Sequence, residues 1–247
     1  MTDRANKISN PFCILPFAFV IFLTMHTGCV TAQDSLHSKP NVVNDRKIYL
    51  DEVLHDSTKK MVELRSEIPG LIYDLRYAGK NNFMHRAMYP TNTHYTFLRL
   101  PAMEALRRVQ EELHGQGMGL KIFDAYRPYS VTVKFWELVH DERYVANPAK
   151  GSGHNRGIAV DLTIVHLDTG KELDMGTGFD NFTDTAHQDF AGLPAAVLEN
   201  RKLLKTLMVK YGFKPLETEW WHFFLAEGER FGVLDIPLKQ FDNLAIW

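Results

Sequence analysis

The 247-residue chain is 45% hydrophobic and 23% charged, with a formal net charge of −2. This is a globular composition, apolar enough for one domain with a substantial core. The near-neutral balance lacks the basic surplus that nucleic-acid binding draws on, so no nucleic-acid partner is expected.

Residues 1 to 32 differ from the rest. Arg4 and Lys7 precede the apolar run PFCILPFAFVIFLTM, and HTGCVTA ends in small residues. That order is the pattern of a secretory signal peptide. The run spans about fifteen residues and contains Pro16, short of the roughly 20 that cross a bilayer, so no permanent transmembrane span is expected. Val30-Thr31-Ala32 offers a small-residue cleavage site. The expectation is therefore an exported, periplasmic protein cut after Ala32. Thr27-Gly28-Cys29 resembles a lipoprotein box with His26 in place of the usual Leu, so the alternative is a lipoprotein anchored at Cys29. Cleavage after Ala32 removes both Cys13 and Cys29. The mature chain then has no disulfide and no thiolate ligand, and any metal must be held by His and carboxylates.

Residues 33 to 47, QDSLHSKPNVVNDRK, are polar and aperiodic and predict a flexible leader, with the domain running from 48 to 247. Residues 101 to 116 place Pro101 at a first helical position and Met103, Leu106, Val109 and Leu113 at helical spacing, ending at Gly115 and Gly117. A short strand follows over 119 to 124, then AYRPYS, in which Pro128 holds Arg127 extended. A second helix covers 131 to 140. Residues 158 to 167 alternate as a strand, with Ile158, Val160, Leu162 and Ile164 on one face and Ala159, Asp161 and Thr163 on the other. The Gly- and Asp-rich stretch 168 to 192 reads as a long functional loop. A helix over 193 to 211 and an aromatic strand over 219 to 225 complete the pattern. Helices and strands that do not strictly alternate, with irregular strand connections, predict an α+β domain rather than a doubly wound parallel sheet.

Asp161 raises the chemical question, because a carboxylate within a buried strand is costly without compensation. His154 lies in the Gly-rich turn just before it, where a shared cation would hold both side chains. The alternative is that Asp161 caps a turn or pairs with an arginine while His154 is a surface loop residue. Near the C-terminus, LETEWWHFF places Glu219 and His222 three apart. Residues i and i+3 of a regular strand point to opposite faces. Their convergence would require that Glu219 precede the strand proper or that a bulge turn it. His154, Asp161 and His222 would then be three ligands that leave an open position, with Glu219 as general base. The alternative is an aromatic core strand with an incidental histidine. Arg127, restrained between Tyr126 and Pro128, suits a guanidinium aimed at a developing oxyanion, or a plain turn arginine.

Two motifs carry a family resemblance. Ser152-Gly-His154-Asn-Arg-Gly157-Ile-Ala159-Val-Asp161 fits S-x-H-x-x-G-x-A-x-D, and Glu219-Trp-Trp-His222 fits E-x-W-H. Together they resemble the zinc signatures of the D-Ala-D-Ala metallopeptidases related to the Hedgehog signalling domain. YDLRYAGKNNF (73 to 83), DAYRP (124 to 128) and EWWHF (219 to 223) bring the chain nearest to the D-alanyl-D-alanine dipeptidases, including those of vancomycin resistance. The resemblance covers roughly 60 to 230 and implies a Hedgehog/DD-peptidase-like fold, a single α+β domain with a central, mainly antiparallel sheet and flanking helices. It implies one zinc ion held by His154, Asp161 and His222, Glu219 as catalytic acid/base and Arg127 as transition-state stabiliser. It also implies that Ser152 bonds the substrate carboxylate and that Asp180, with Tyr73, receives the substrate ammonium. An ordinary loop role for Asp180 is the alternative.

The implied activity is zinc-dependent hydrolysis of the small dipeptide D-Ala-D-Ala to two D-alanines. The alternatives are a D,D-carboxypeptidase or endopeptidase on peptidoglycan stems, and a catalytically silent zinc module that binds a partner. Retention of both Glu219 and Arg127 speaks against the silent module, since a structural zinc site needs neither. Because D-Ala-D-Ala for wall synthesis is made in the cytoplasm, an exported enzyme is expected to act in peptidoglycan turnover or salvage.

Overall fold

In the computed structural model, which describes residues 40–242, the chain opens with β1 (Val42–Val43) and α1 (Arg46–His55). Next come β2 (Met61–Glu63), α2 (Leu64–Glu67), β3 (Ile72–Tyr73), β4 (Phe97–Arg99), α3 (Leu100–His114) and β5 (Met118–Asp124). The second half holds α4 (Tyr129–Leu138), β6 (Ala159–His166), α5 (Ala195–Lys210), β7 (Phe213–Leu216), β8 (Glu219–Leu225), β9 (Val233–Leu234) and α6 (Lys239–Asp242). The expected signal peptide, Ala32 and Cys29 lie outside the described residues. Among the described residues, no helix is long and apolar enough to cross a membrane.

The central sheet has five strands in the order β3-β5-β6-β8-β7. Only β3 and β5 run parallel; the other neighbours are antiparallel. The predicted α+β class and mainly antiparallel sheet are therefore what the chain forms. Helix α3 begins with Pro101 in its first turn and buries Met103, Leu106, Val109 and Leu113, the four residues its spacing picked out. These join Leu204, Leu207 and Met208 of α5 and Val160, Leu162 and Ile164 of β6 in one apolar core. Strand alternation therefore commits Val160, Leu162 and Ile164 of β6 to the core and turns Asp161 to the other face.

The leader expectation needs correction at its end. Val42 and Val43 pair in parallel with Val233 and Leu234, and Val43 is buried. Asp45 then caps α1, its carboxylate accepting the Lys47 N–H at 2.6 Å. The polar composition of 40–47 hid two valines that complete a strand pair some 190 residues away in sequence.

Register shifts at two places position the site. Between Ile122 and Asp124 the β5 register slips, so Asp124 faces Asp161. On the far side of β6, Asp161 faces His222 directly. The three polar residues lie side by side across β5, β6 and β8. Between β7 and β8 the register jumps as well, with Pro215 opposite Phe223 but Leu216 opposite Glu219. Residues 220 to 222 thus bulge from β7, and Glu219 opens β8. Of the two devices that could bring Glu219 and His222 together, the structure uses the bulge, since Glu219 is already the first residue of β8.

Candidate active site

His154 is delivered by a turn locked at several points. Gly157 takes φ +71°, and a Cβ there would stand 2.7 Å from Met61 Sδ, so the turn needs a glycine both for its dihedral and for its close approach to β2. Ser152 Oγ accepts the His154 N–H at 3.1 Å. Fully buried Asn155 donates to Arg127 O at 2.8 Å and to Thr132 Oγ1 at 2.9 Å, while accepting the Ser152 N–H at 3.0 Å. Asn155 was missed in the sequence because it occupies an unspecified position of the first motif. It joins the His154 turn to the segment that carries Arg127.

The His154 ring is fixed in turn. Nδ1 donates to the Ala125 carbonyl at 2.6 Å, which turns Nε2 toward the other two donors and leaves it available as a ligand atom in the neutral ring. Nε2 lies 3.2 Å from His222 Nδ1 and 3.4 Å from Asp161 Oδ2, and His222 Nδ1 lies 2.9 Å from Asp161 Oδ1. A first-row divalent ion about 2.0–2.2 Å from N and O donors at tetrahedral angles leaves its ligand atoms about 3.4 Å apart. The three side chains bring donor atoms to 2.9–3.4 Å of one another, close to that spacing, and fit such an ion with one position left open. No cysteine occurs among the described residues, so the donor set is nitrogen and oxygen only.

The electrostatics agree with a cation site. Burial disfavours an ionised Asp161, but the facing imidazoles of His154 and His222 outweigh it and hold the carboxyl below the usual range. Burial pushes His222 down toward the neutral form that binds metal. Glu219 is buried, and desolvation, reinforced by the carboxylates of Asp161 and Asp180, raises its carboxyl well above the ordinary value. A buried carboxyl raised in this way, facing a cleft, is a candidate general acid/base.

Glu219 Oε2 lies 3.9 Å from His222 Nδ1. Its main chain is braced by the long loop, since Gln188 Nε2 donates to Glu219 O at 3.0 Å and Gln188 N to Glu217 O at 2.9 Å. Arg201 of α5 holds that loop by donating to the carbonyls of Met175, Thr185 and His187 at 2.7, 3.0 and 3.1 Å. The stretch read as a functional loop is a tied support for the first residue of β8.

Arg127 is buried against Asp124. Its Nε and Nη2 both lie 2.9 Å from Asp124 Oδ2, and Nη2 is 3.7 Å from Asp161 Oδ2. The guanidinium stacks over the rings of Phe135 and Tyr77, with its carbon 4.7 and 5.1 Å from the centroids. Burial pulls it toward neutrality, but Asp124 beside it more than compensates and keeps it charged.

Of the residues singled out in the sequence, Arg127, Ser152, His154, Asp161, Asp180, Glu219 and His222 all border one cavity of about 620 Å³. Tyr73 does not, and that expectation is corrected. Its hydroxyl donates to Glu63 Oε1 at 2.8 Å and accepts the Arg65 N–H at 2.7 Å, on the edge strand β3. The tyrosine that meets Asp180 is Tyr77, four residues on, whose hydroxyl donates to Asp180 Oδ1 at 3.0 Å. The Phe83 N–H donates to the other oxygen at 3.1 Å. Asp180 also takes φ +61°, a left-handed conformation uncommon outside glycine, which these bonds hold in place.

Comparison with known proteins places this geometry in context. A family model described as D-ala-D-ala dipeptidase matches residues 57–240. A D-alanyl-D-alanine dipeptidase of Escherichia coli (strain K12) is 34% identical over 177 residues, covering 72% of this chain and 90% of the relative. One from Streptomyces coelicolor is 33% identical over 180 residues, covering 65% and 88%. Another from Enterococcus faecalis is 30% identical over 198 residues, covering 73% and 91%.

Proposed function

Because the chain belongs to the D-Ala-D-Ala dipeptidase family, we propose that it hydrolyses D-Ala-D-Ala to two D-alanines, with one zinc ion held by His154, Asp161 and His222. The observation that carries this reading is the convergence of those three donors with Glu219 and Arg127 on one cavity. The ion, when bound, supplies Lewis-acid polarisation of the scissile carbonyl and a lowered pKa for water.

The chain's own residues supply the rest. Glu219 takes a proton from the attacking water on its carboxylate and passes it to the leaving amine nitrogen as the C–N bond breaks. Arg127 meets the negative charge that develops on the carbonyl oxygen, and its burial makes that interaction stronger than it would be in water. Ser152 bonds the substrate carboxylate, and Asp180, held by Tyr77 and Phe83, receives the ammonium. Recognition of both charged ends suits a substrate as short as a dipeptide.

The test is D-alanine release by zinc-loaded protein from D-Ala-D-Ala and from a pentapeptide ending in D-Ala-D-Ala, each with and without chelator. Chelator-sensitive release from the dipeptide supports the reading. Preference for the pentapeptide would make the enzyme a D,D-carboxypeptidase, and zinc binding without release from either would make it a silent binding module.

Export and a role in peptidoglycan turnover or salvage complete the proposal. The support is the charged, apolar and small-residue order of the first 32 residues, with cleavage after Ala32 or lipidation at Cys29. N-terminal sequencing of the protein from the periplasm tests it, and full-length protein in the cytoplasm would contradict it.

A further inference from the structure

Tyr89 lies in the irregular segment between β3 and β4, 35 residues before Asp124, and neither residue borders the cavity. Its main chain is anchored by donation from Tyr89 N to Tyr77 O at 3.0 Å, and its ring meets that of Tyr77 edge to face at 6.1 Å. The hydroxyl donates to Asp124 Oδ1 at 2.8 Å. Asp124 is fully buried, and its other oxygen, Oδ2, takes both contacts from Arg127.

This division of the carboxylate is unusual in one respect. An arginine and a carboxylate left to themselves favour a two-oxygen fork, with two parallel N–H···O bonds. Here both nitrogens contact one oxygen, while the other accepts from Tyr89. We propose that Tyr89, acting through Asp124, is a positioning residue that aims the Arg127 guanidinium at the cavity. Removing the hydroxyl frees Oδ1, lets the carboxylate rotate into the two-oxygen fork and carries the guanidinium away from its present line. The proposal rests on the role assigned to Arg127 above.

Tyr89→Phe removes one oxygen atom and keeps the ring packing. The expected result is a kcat about tenfold lower, the scale of losing one buried bond to a charged group, with KM held within about twofold. In an Arg127→Lys background, which cannot form the fork, the same substitution changes kcat by less than about twofold. A crystal structure of Tyr89→Phe shows Arg127 bridging both oxygens of Asp124. Unchanged kcat in Tyr89→Phe, an equal loss in both backgrounds, or an unmoved guanidinium overturns the proposal. If Arg127→Lys is impaired and Tyr89→Phe is not, only the positioning fails. If the wild-type chain releases no D-alanine, the functional reading fails and takes the positioning with it.

Discussion

Asp161 and His222 face each other as a directly opposed antiparallel pair on β6 and β8, with Oδ1 2.9 Å from Nδ1. A carboxylate buried in mid-sheet is thereby set against one imidazole by strand register and against a second by the turn that precedes β6. The cost of burying Asp161 is offset by a site that a cation completes.

Asp161→Asn keeps the shape of this pair and removes its charge. Its zinc affinity falls by more than the ~100-fold that loss of an outer-shell partner costs. Wild-type protein gains thermal stability with added zinc, because only the folded state presents the three donors together. The variant shows little of that gain, and metal content after dialysis checks the same point. Zinc retention equal to wild type would remove Asp161 from the ligand set.

Burial pushes the Asp180 carboxyl up to about 7, opposed by the Phe83 N–H, the Tyr77 hydroxyl and Arg127 and reinforced by the Asp161 carboxylate. Ionised Asp180 is the form that attracts an ammonium, so KM for the dipeptide falls as pH rises from about 6 to 7.5. Asp180→Asn has a KM about tenfold higher at the upper end and loses the trend. The stability effect has the opposite sign. The unfolded carboxyl titrates near ~3.9, so the proton held in the fold contributes fully below about pH 4 and is lost as pH rises through about 7. Steady-state kinetics across that range decide the matter, and a KM independent of pH in wild type would contradict it.

Two tyrosines four residues apart separate the roles of their neighbourhoods. Tyr77→Phe removes a donor from Asp180 and raises KM by roughly 3- to 10-fold. Tyr73→Phe alters a contact with Glu63 away from the cavity and leaves both kcat and KM at wild-type values. The reverse pattern would reinstate Tyr73 as the substrate-binding residue.

Gly157→Ala forces an L side chain into φ +71° and a contact 2.7 Å from Met61 Sδ. It is expected to cost about 2 kcal/mol of stability and to weaken zinc binding with it, since the turn places His154. Denaturant unfolding with and without zinc measures both.

What could be read from the residues followed physical regularity. α3 and α5 show helical periodicity, β5, β6 and β8 are long enough to alternate, and the two motifs hold the ligands at short sequence range. β2 and β4 span three residues each, too few for a period to register. α1 buries only Tyr49 among its ten residues and so carries no apolar stripe. Tyr77 was passed over for Tyr73 because nothing local distinguishes two tyrosines in YDLRYAG; only the packed fold decides which reaches Asp180. Tyr89 and Gln188 act through contacts distant in sequence, and Asn155 through a buried network that has no periodic signature.

The most direct measurement pairs zinc content with D-alanine release from D-Ala-D-Ala for the wild type and for Glu219→Gln. The variant should hold one zinc ion per chain, as the wild type does, and lose turnover by about 10²- to 10⁴-fold, since the ligands are intact and only the proton carrier is gone. A zinc-loaded Glu219→Gln protein with near wild-type release of D-alanine would contradict the assignment of Glu219 and the mechanism built on it.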